Sequence, residues 1–147
     1  MSKMCFKFLH LHLHGLIRSN SLELGRDSDT GGQTQYVLEL VKSLANTSEV
    51  DQVDLVTRLI DDVKIDNSYS KKKEFIQPGA QILRFQFGPS KYLRKELLWP
   101  YLEELTQNLI QYYQKDENMP SFIHAHYALY YPQYSELLNL LAQLQKN

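Results

Sequence analysis

The sequence predicts an α/β protein with a parallel sheet and flanking helices, and three observations predict it. Short apolar runs of strand length alternate along the chain with stretches of helical periodicity. The first run is apolar on both alternating faces, as an inner strand covered by helices on each side must be. A glycine pair, Gly31 and Gly32, stands where the loop after that run gives way to a helix, on the edge at which such sheets bind ligands.

The first strand is expected over residues 5–13, with Phe6 and Phe8 on one side and Leu9, Leu11 and Leu13 on the other. Gly15 opens a polar loop through Asp29 that contains Arg18, Arg26 and Asp27. The helix that follows takes Thr30 or Asp29 as its cap and buries a stripe of Tyr36, Val37, Leu40, Val41 and Leu44. Residues 53–58, VDLVTR, read as a second strand. The stretch 66–74, with three successive lysines, reads as a solvated surface connection. Residues 81–87 alternate as a third strand, ended by Gly88 and Pro89. A helical region over 95–114 is interrupted at Pro100, which has no N–H to donate. Residues 122–126 give a fourth strand, and 133–145 a last amphipathic helix carrying Leu137, Leu140, Leu141 and Leu144.

At 147 residues the chain is long enough for one domain with a core and too short for two full ones. Hydrophobic residues at 43% and charged residues at 22% describe a folded globular chain. A net charge of -1 provides no field to draw in nucleic acid or an anionic membrane, so any anion site is local. No stretch offers the roughly 18 uninterrupted apolar residues of a membrane-spanning helix. The single cysteine, Cys5, lies in an apolar run expected to bury it; it cannot form an internal disulfide, which points to a reducing, cytoplasmic compartment.

The residues that carry chemistry gather in the loops after the strands. Two glycines at a strand-loop-helix junction let backbone N–H groups approach an anion, at the helix end whose dipole favours negative charge. Lys91, Arg94 and Lys95 form a basic turn just after the third strand, either solvated or within reach of a phosphate at the sheet's carboxyl edge. His10, His12 and His14 share one face of the first strand. A flat strand separates alternate residues by about 7 Å, too far for one zinc to reach all three, so no metal is expected there. No cofactor is expected either.

The strings HGLIR from His14 and LELGRDSDTGGQ from Leu22 resemble the signature near the start of the sucrose-phosphate synthases. VDLVTR at Val53, FGPSKYLRKELLWPYLEEL from Phe87 and HAHY from His124 agree in order and spacing. The resemblance runs over about residues 11–127, leaving a divergent tail over 128–147. Sucrose synthases share the DTGGQ element, while the longer string and the basic KYLRKE segment favour the phosphate-using enzymes.

The resemblance implies a retaining glycosyltransferase of the GT-B architecture, with two Rossmann-like domains. In that family the glucose of UDP-glucose is joined to fructose 6-phosphate, giving sucrose 6-phosphate and UDP. By the same resemblance Gly31 and Gly32 face the diphosphate and the acceptor, Gln33 binds sugar hydroxyls, and Lys95 holds the acceptor phosphate with Lys91 and Arg94 beside it. Arg94 departs from the proline usual there. His14 matches the start of the first loop, and His126 with Tyr127 matches a pair lining the acceptor site; His126 also fits a hydrogen-bonded core role. Glu96 and Glu104 have the E-x7-E spacing of the family's donor domain, but they lie in the acceptor segment and straddle Pro100, which marks them as an exposed helical face.

The expectation is therefore a single, partial amino-terminal acceptor-side domain over 1–147, incomplete as a catalyst and served by a separate donor-domain chain. The family's Thr-Gly-His motif and donor-domain glutamates have no counterpart in the sequence. A non-catalytic sugar-phosphate-binding module and a residual gene fragment are the alternative readings.

Overall fold

The computed structural model describes residues 4–115 and 119–126, with 139 and 142 beyond them. The first strand, β1, spans Phe6–Leu11. The helix α1 follows over Gly32–Ala45 and leads to β2, Val50–Arg58. Next come β3, Lys73–Gln77, and β4, Ala80–Phe85. Two short 3-10 turns precede α2, Leu102–Lys115, and β5 covers Phe122–Ala125.

The strands form one sheet in the order β3-β4-β2-β1-β5. β1 lies between β2 and β5 and is parallel to both, and β4 is parallel to β2. β3 alone runs antiparallel, against β4. This is the expected α/β class with one strand more than expected. β3 begins inside the lysine-rich stretch, where Lys73 and Phe75 point outward from a sheet edge. Charged residues on an edge strand keep it from pairing with another chain, and the same charges made it read as a connection.

Each face of the sheet carries its own core. Leu9, Leu11, Leu13, Val56 and Leu83 pack beneath α2 through Leu102, Leu105, Leu109 and Tyr113. Val53, Leu55, Ala80 and Ile82 pack beneath α1 through Val37, Leu38 and Val41. Pro100 falls in a 3-10 turn over Trp99–Tyr101, so α2 starts only at Leu102, where the backbone N–H groups needed for α-helical bonding resume.

Three expectations of detail are corrected. Tyr36 is 55% exposed rather than part of the buried stripe, because the face of α1 turned to the sheet runs through Thr34, Val37, Leu38 and Val41 and Tyr36 lies off it. Cys5 is exposed, one residue before β1 begins. The cap of α1 is Gly31, with no side-chain capping bond, because Asp29 and Thr30 are engaged elsewhere. The helix expected over 133–145 lies outside the described residues apart from Asn139 and Ala142, both helical. Among the described residues no helix is long and apolar enough to cross a membrane.

Candidate functional site

The loops that leave the carboxyl ends of β1 and β4 converge at the mouth of α1, and β5 ends nearby at His126. Gly15 makes this convergence possible. It holds φ at +78°, and a Cβ there would stand 2.2 Å from the carbonyl oxygen of Asp29. The two loop segments therefore touch backbone to backbone. Thr30 closes the junction: its Oγ1 accepts from the Leu16 N–H at 3.0 Å and lies 3.2 Å from both carboxylate oxygens of Asp27.

The loop after β4 is tied to the same point. Tyr92 donates its hydroxyl to Asp27 at 3.0 Å, and its N–H to Asp62 at 3.0 Å. Burial, with the Asp27 carboxylate beside it, pushes the Tyr92 phenol up, so it stays a donor. Arg58, buried at the end of β2, reaches the carbonyls of Pro89 and Lys91 at 2.6 and 2.5 Å. Lys95 is placed by Asp29, whose carboxylate accepts the Lys95 backbone N–H at 2.8 Å and lies 3.7 Å from its ammonium.

The glycines have a different character from Gly15. Gly31 and Gly32 have ordinary negative φ, and a Cβ on either would meet nothing within 4 Å among the described residues. Neither the backbone conformation nor packing among the described residues demands glycine there. Gly31 also provides no side-chain cap, so the first N–H groups of this 14-residue helix have no capping side chain from it.

All five histidines of the chain lie on the α1 side of the sheet. His14 is buried near Asp29 and Lys95; burial lowers its pKa, against the pull of the Asp29 charge. The His12 ring lies beside it, tilted by 42°, at 5.2 Å between ring centroids. His10 stands directly opposite His124 in the β1–β5 register, and His126 follows at the end of β5. The His10 Nδ1 and His126 Nε2 are 2.9 Å apart, and the His124 and His126 rings stack at 4.2 Å. Burial and the neighbouring imidazoles hold His10 down to about 3 and His126 to about 4, so both are neutral at physiological pH.

Lys95, His14, Gly31 and Gly32 are thus brought to one corner, with Gln33 in the first turn of α1. His126 reaches that corner through His12, at 6.5 Å between rings, and lies the same distance from Tyr36. Lys91 and Arg94 are exposed on the flank of the loop. Tyr127 lies outside the described residues. Glu104 accepts the Gly88 N–H at 2.9 Å and Glu96 is exposed, so the two carboxylates hold no shared site. Two clefts, of about 420 Å³ between β4 and α2 and about 240 Å³ at the opposite end of the strands, include none of these residues.

Sequence reasoning missed Arg58, Asp27, Asp29 and Tyr92 as the frame of the corner. Each lies inside a motif string already noted, and a buried arginine at a strand's end was the available signal. It also missed His10 with His124, whose pairing depends on strand order.

No family model matches the chain. It is 39% identical over 145 aligned residues to sucrose-phosphate synthase 1 of Arabidopsis thaliana, covering 80% of this chain and 14% of that protein. This chain is homologous to sucrose-phosphate synthases. The sucrose-phosphate synthase of Spinacia oleracea is 37% identical over 145 residues, with the same coverage. Against these curated relatives the chain spans about 14% of their length. The solved sucrose-phosphate synthase from Thermosynechococcus elongatus superposes with a TM-score of 0.68 at 24% identity, covering 97% of this chain and 30% of that one. That likeness shows the shared fold, a mostly parallel α/β sheet with flanking helices.

Proposed function

We propose that this chain forms an acceptor-side domain of a sucrose-phosphate synthase-like glycosyltransferase, and that the corner at the mouth of α1 holds the phosphate of fructose 6-phosphate. One observation carries the reading: Gly31 and Gly32 open the helix with no neighbour for a side chain to meet among the described residues, while Lys95 is drawn to the same corner by Asp29. Uncapped N–H groups and a helix dipole attract an anion, and a lysine ammonium on a flexible stem adds a charge-assisted bond. The ammonium sits 3.7 Å from Asp29, longer than a hydrogen bond, so it can turn to a phosphate without losing a strong partner.

In this reading Gln33 and His126 contact the sugar, and Tyr127, outside the described residues, is assigned to the same role by the family resemblance alone. The diphosphate of UDP-glucose approaches Gly31 and Gly32 from a donor-side domain, in the same or a second chain. The domain spans residues 1–147 and works in the cytoplasm.

Calorimetric titration in the presence of EDTA tests the assignment. Fructose 6-phosphate is expected to bind and fructose not to, and Lys95→Ala is expected to remove about 1.5–3 kcal/mol of that preference. Equal affinity for the two sugars, or a preference untouched by Lys95→Ala, would sink it.

A further inference from the structure

The imidazoles on β1 and β5 form a cluster that the sugar-phosphate reading uses only in part. One ring nitrogen from each of His10, His124 and His126 lies within 4.8 Å of the others. Two strands supply them. The β1–β5 register sets His10 against His124, and the two-residue repeat of β5 returns His126 to the same face. A single strand could not gather three ligands, but two adjacent parallel strands can.

The cluster is not a hydrogen-bonded core group with its needs met. His10 Nε2 and both nitrogens of His12 are buried and have no hydrogen-bond partner among the described residues. Buried polar atoms usually have one, so these nitrogens in and beside the cluster, two of them on the neighbouring His12, leave a need that the described residues do not meet. His10 and His126 are buried, and the one hydrogen bond between them is the contact an ion would replace. His124 is exposed at the outer face of β5, which gives an ion a way in.

We propose that His10, His124 and His126 form a binding site for a divalent, imidazole-preferring metal ion, zinc before magnesium or calcium. Three neutral nitrogen ligands without a carboxylate suit zinc, cobalt, nickel or copper, whereas the hard cations require oxygen. Bonds of about 2.0–2.1 Å in tetrahedral geometry set two ligand nitrogens about 3.3 Å apart. The His10–His126 pair stands at 2.9 Å in a hydrogen bond, so binding replaces that bond, moves its proton to the other nitrogen of the donor ring, opens the pair by about 0.4 Å and turns the exposed His124 ring inward. Three protein ligands leave a fourth position open to water or to an oxygen of a ligand. His126 also belongs to the sugar-phosphate corner, but its metal chemistry does not depend on that role.

The test uses the 147-residue chain stripped with EDTA and titrated with Co²⁺, then with Zn²⁺. One equivalent of Co²⁺ is expected to bind saturably, with visible absorption of tetrahedral intensity, and Zn²⁺ is expected to displace it. His124→Ala is expected to weaken Zn²⁺ by at least about 100-fold, beyond the loss seen when only an outer partner of a ligand is removed. Because His124 is exposed, that variant keeps its circular dichroism, so a lost site is distinguished from a lost fold. Proton–nitrogen spectra of the imidazoles give a second readout, in which Zn²⁺ shifts the signals of all three. No saturable Zn²⁺ uptake, or an affinity unchanged in His124→Ala, overturns the proposal.

Discussion

Arg58 holds Lys91 by its backbone: the guanidinium donates to the Lys91 carbonyl at 2.5 Å and to that of Pro89 at 2.6 Å. The loop that delivers Lys95 to the sheet's edge is therefore anchored by a buried cation at the end of β2. Arg58→Lys keeps the charge but loses the fork that reaches two carbonyls at once. It is expected to destabilise the fold by about 1.5–3 kcal/mol in urea titration. It is also expected to weaken fructose 6-phosphate without removing any group that touches the sugar. Unchanged stability would mean that the loop holds its place by other contacts.

Glu74 and Arg84 give stability a pH dependence. Arg84 is fully buried and pairs with Glu74 at 2.8 Å, while also donating to the carbonyls of Ile17 and Lys71. Burial raises the Glu74 pKa, but the bonds from Ser19 and Arg84 outweigh it and hold the carboxyl below its usual range. Its folded value is thus depressed. The contribution is complete above the ordinary glutamate value of 4.5 and is lost as pH falls through the folded value. Glu74→Gln is expected to lower stability at neutral pH by about 3 kcal/mol, the lower end for breaking a buried pair, and to flatten the acid limb of a stability-against-pH curve. An acid limb identical to that of the parent chain would refute the coupling.

Tyr113 and Asp54 join α2 to the sheet. The hydroxyl donates to the buried carboxylate at 2.8 Å, and burial pushes the phenol far up, so it remains protonated. Tyr113→Phe leaves one carboxylate oxygen without that donor, although Gln52 and Gln81 still serve the other. A loss of about 1–3 kcal/mol is expected by thermal or urea unfolding. A loss below that range would show water replacing the hydroxyl.

Period and composition were enough to read the order β1-α1-β2, the later β4, the break at Pro100 and β5, because each is a run with one dominant spacing. β3 was hidden because an edge strand is half solvent, and Lys71, Lys72 and Lys73 look the same in a loop as on an edge. The glycines and Lys95 could be nominated from their motif strings, but not their connection through Asp29, which is a contact between residues 66 apart in sequence. The histidines show the limit most clearly. The two-residue spacing of His10, His12 and His14 was visible, and on one flat strand it is too wide for a single ion. His124 and His126 join His10 only because β5 lies beside β1, and strand order is a property of the whole sheet.

The two kinds of glycine at the mouth of α1 yield opposite outcomes from the same substitution. Gly15→Ala places a methyl 2.2 Å from the Asp29 oxygen and forces an L-residue to hold φ at +78°. The backbone conformation alone costs about 1–2 kcal/mol, and the clash adds to it by pushing Asp29 away from Lys95. Gly32→Ala meets open space at ordinary φ in the first turn of a helix. There alanine reduces the freedom of the unfolded chain and is expected to raise stability by about 0.4–1 kcal/mol. A methyl in that space nevertheless stands where the proposed phosphate would sit against the helix N–H groups. Gly32→Ala is therefore expected to unfold later in urea than the parent chain and to bind fructose 6-phosphate more weakly, whereas Gly15→Ala loses both stability and binding. Gain of stability with unchanged binding in Gly32→Ala would remove the glycines from the phosphate site and leave the corner without its anion-binding part.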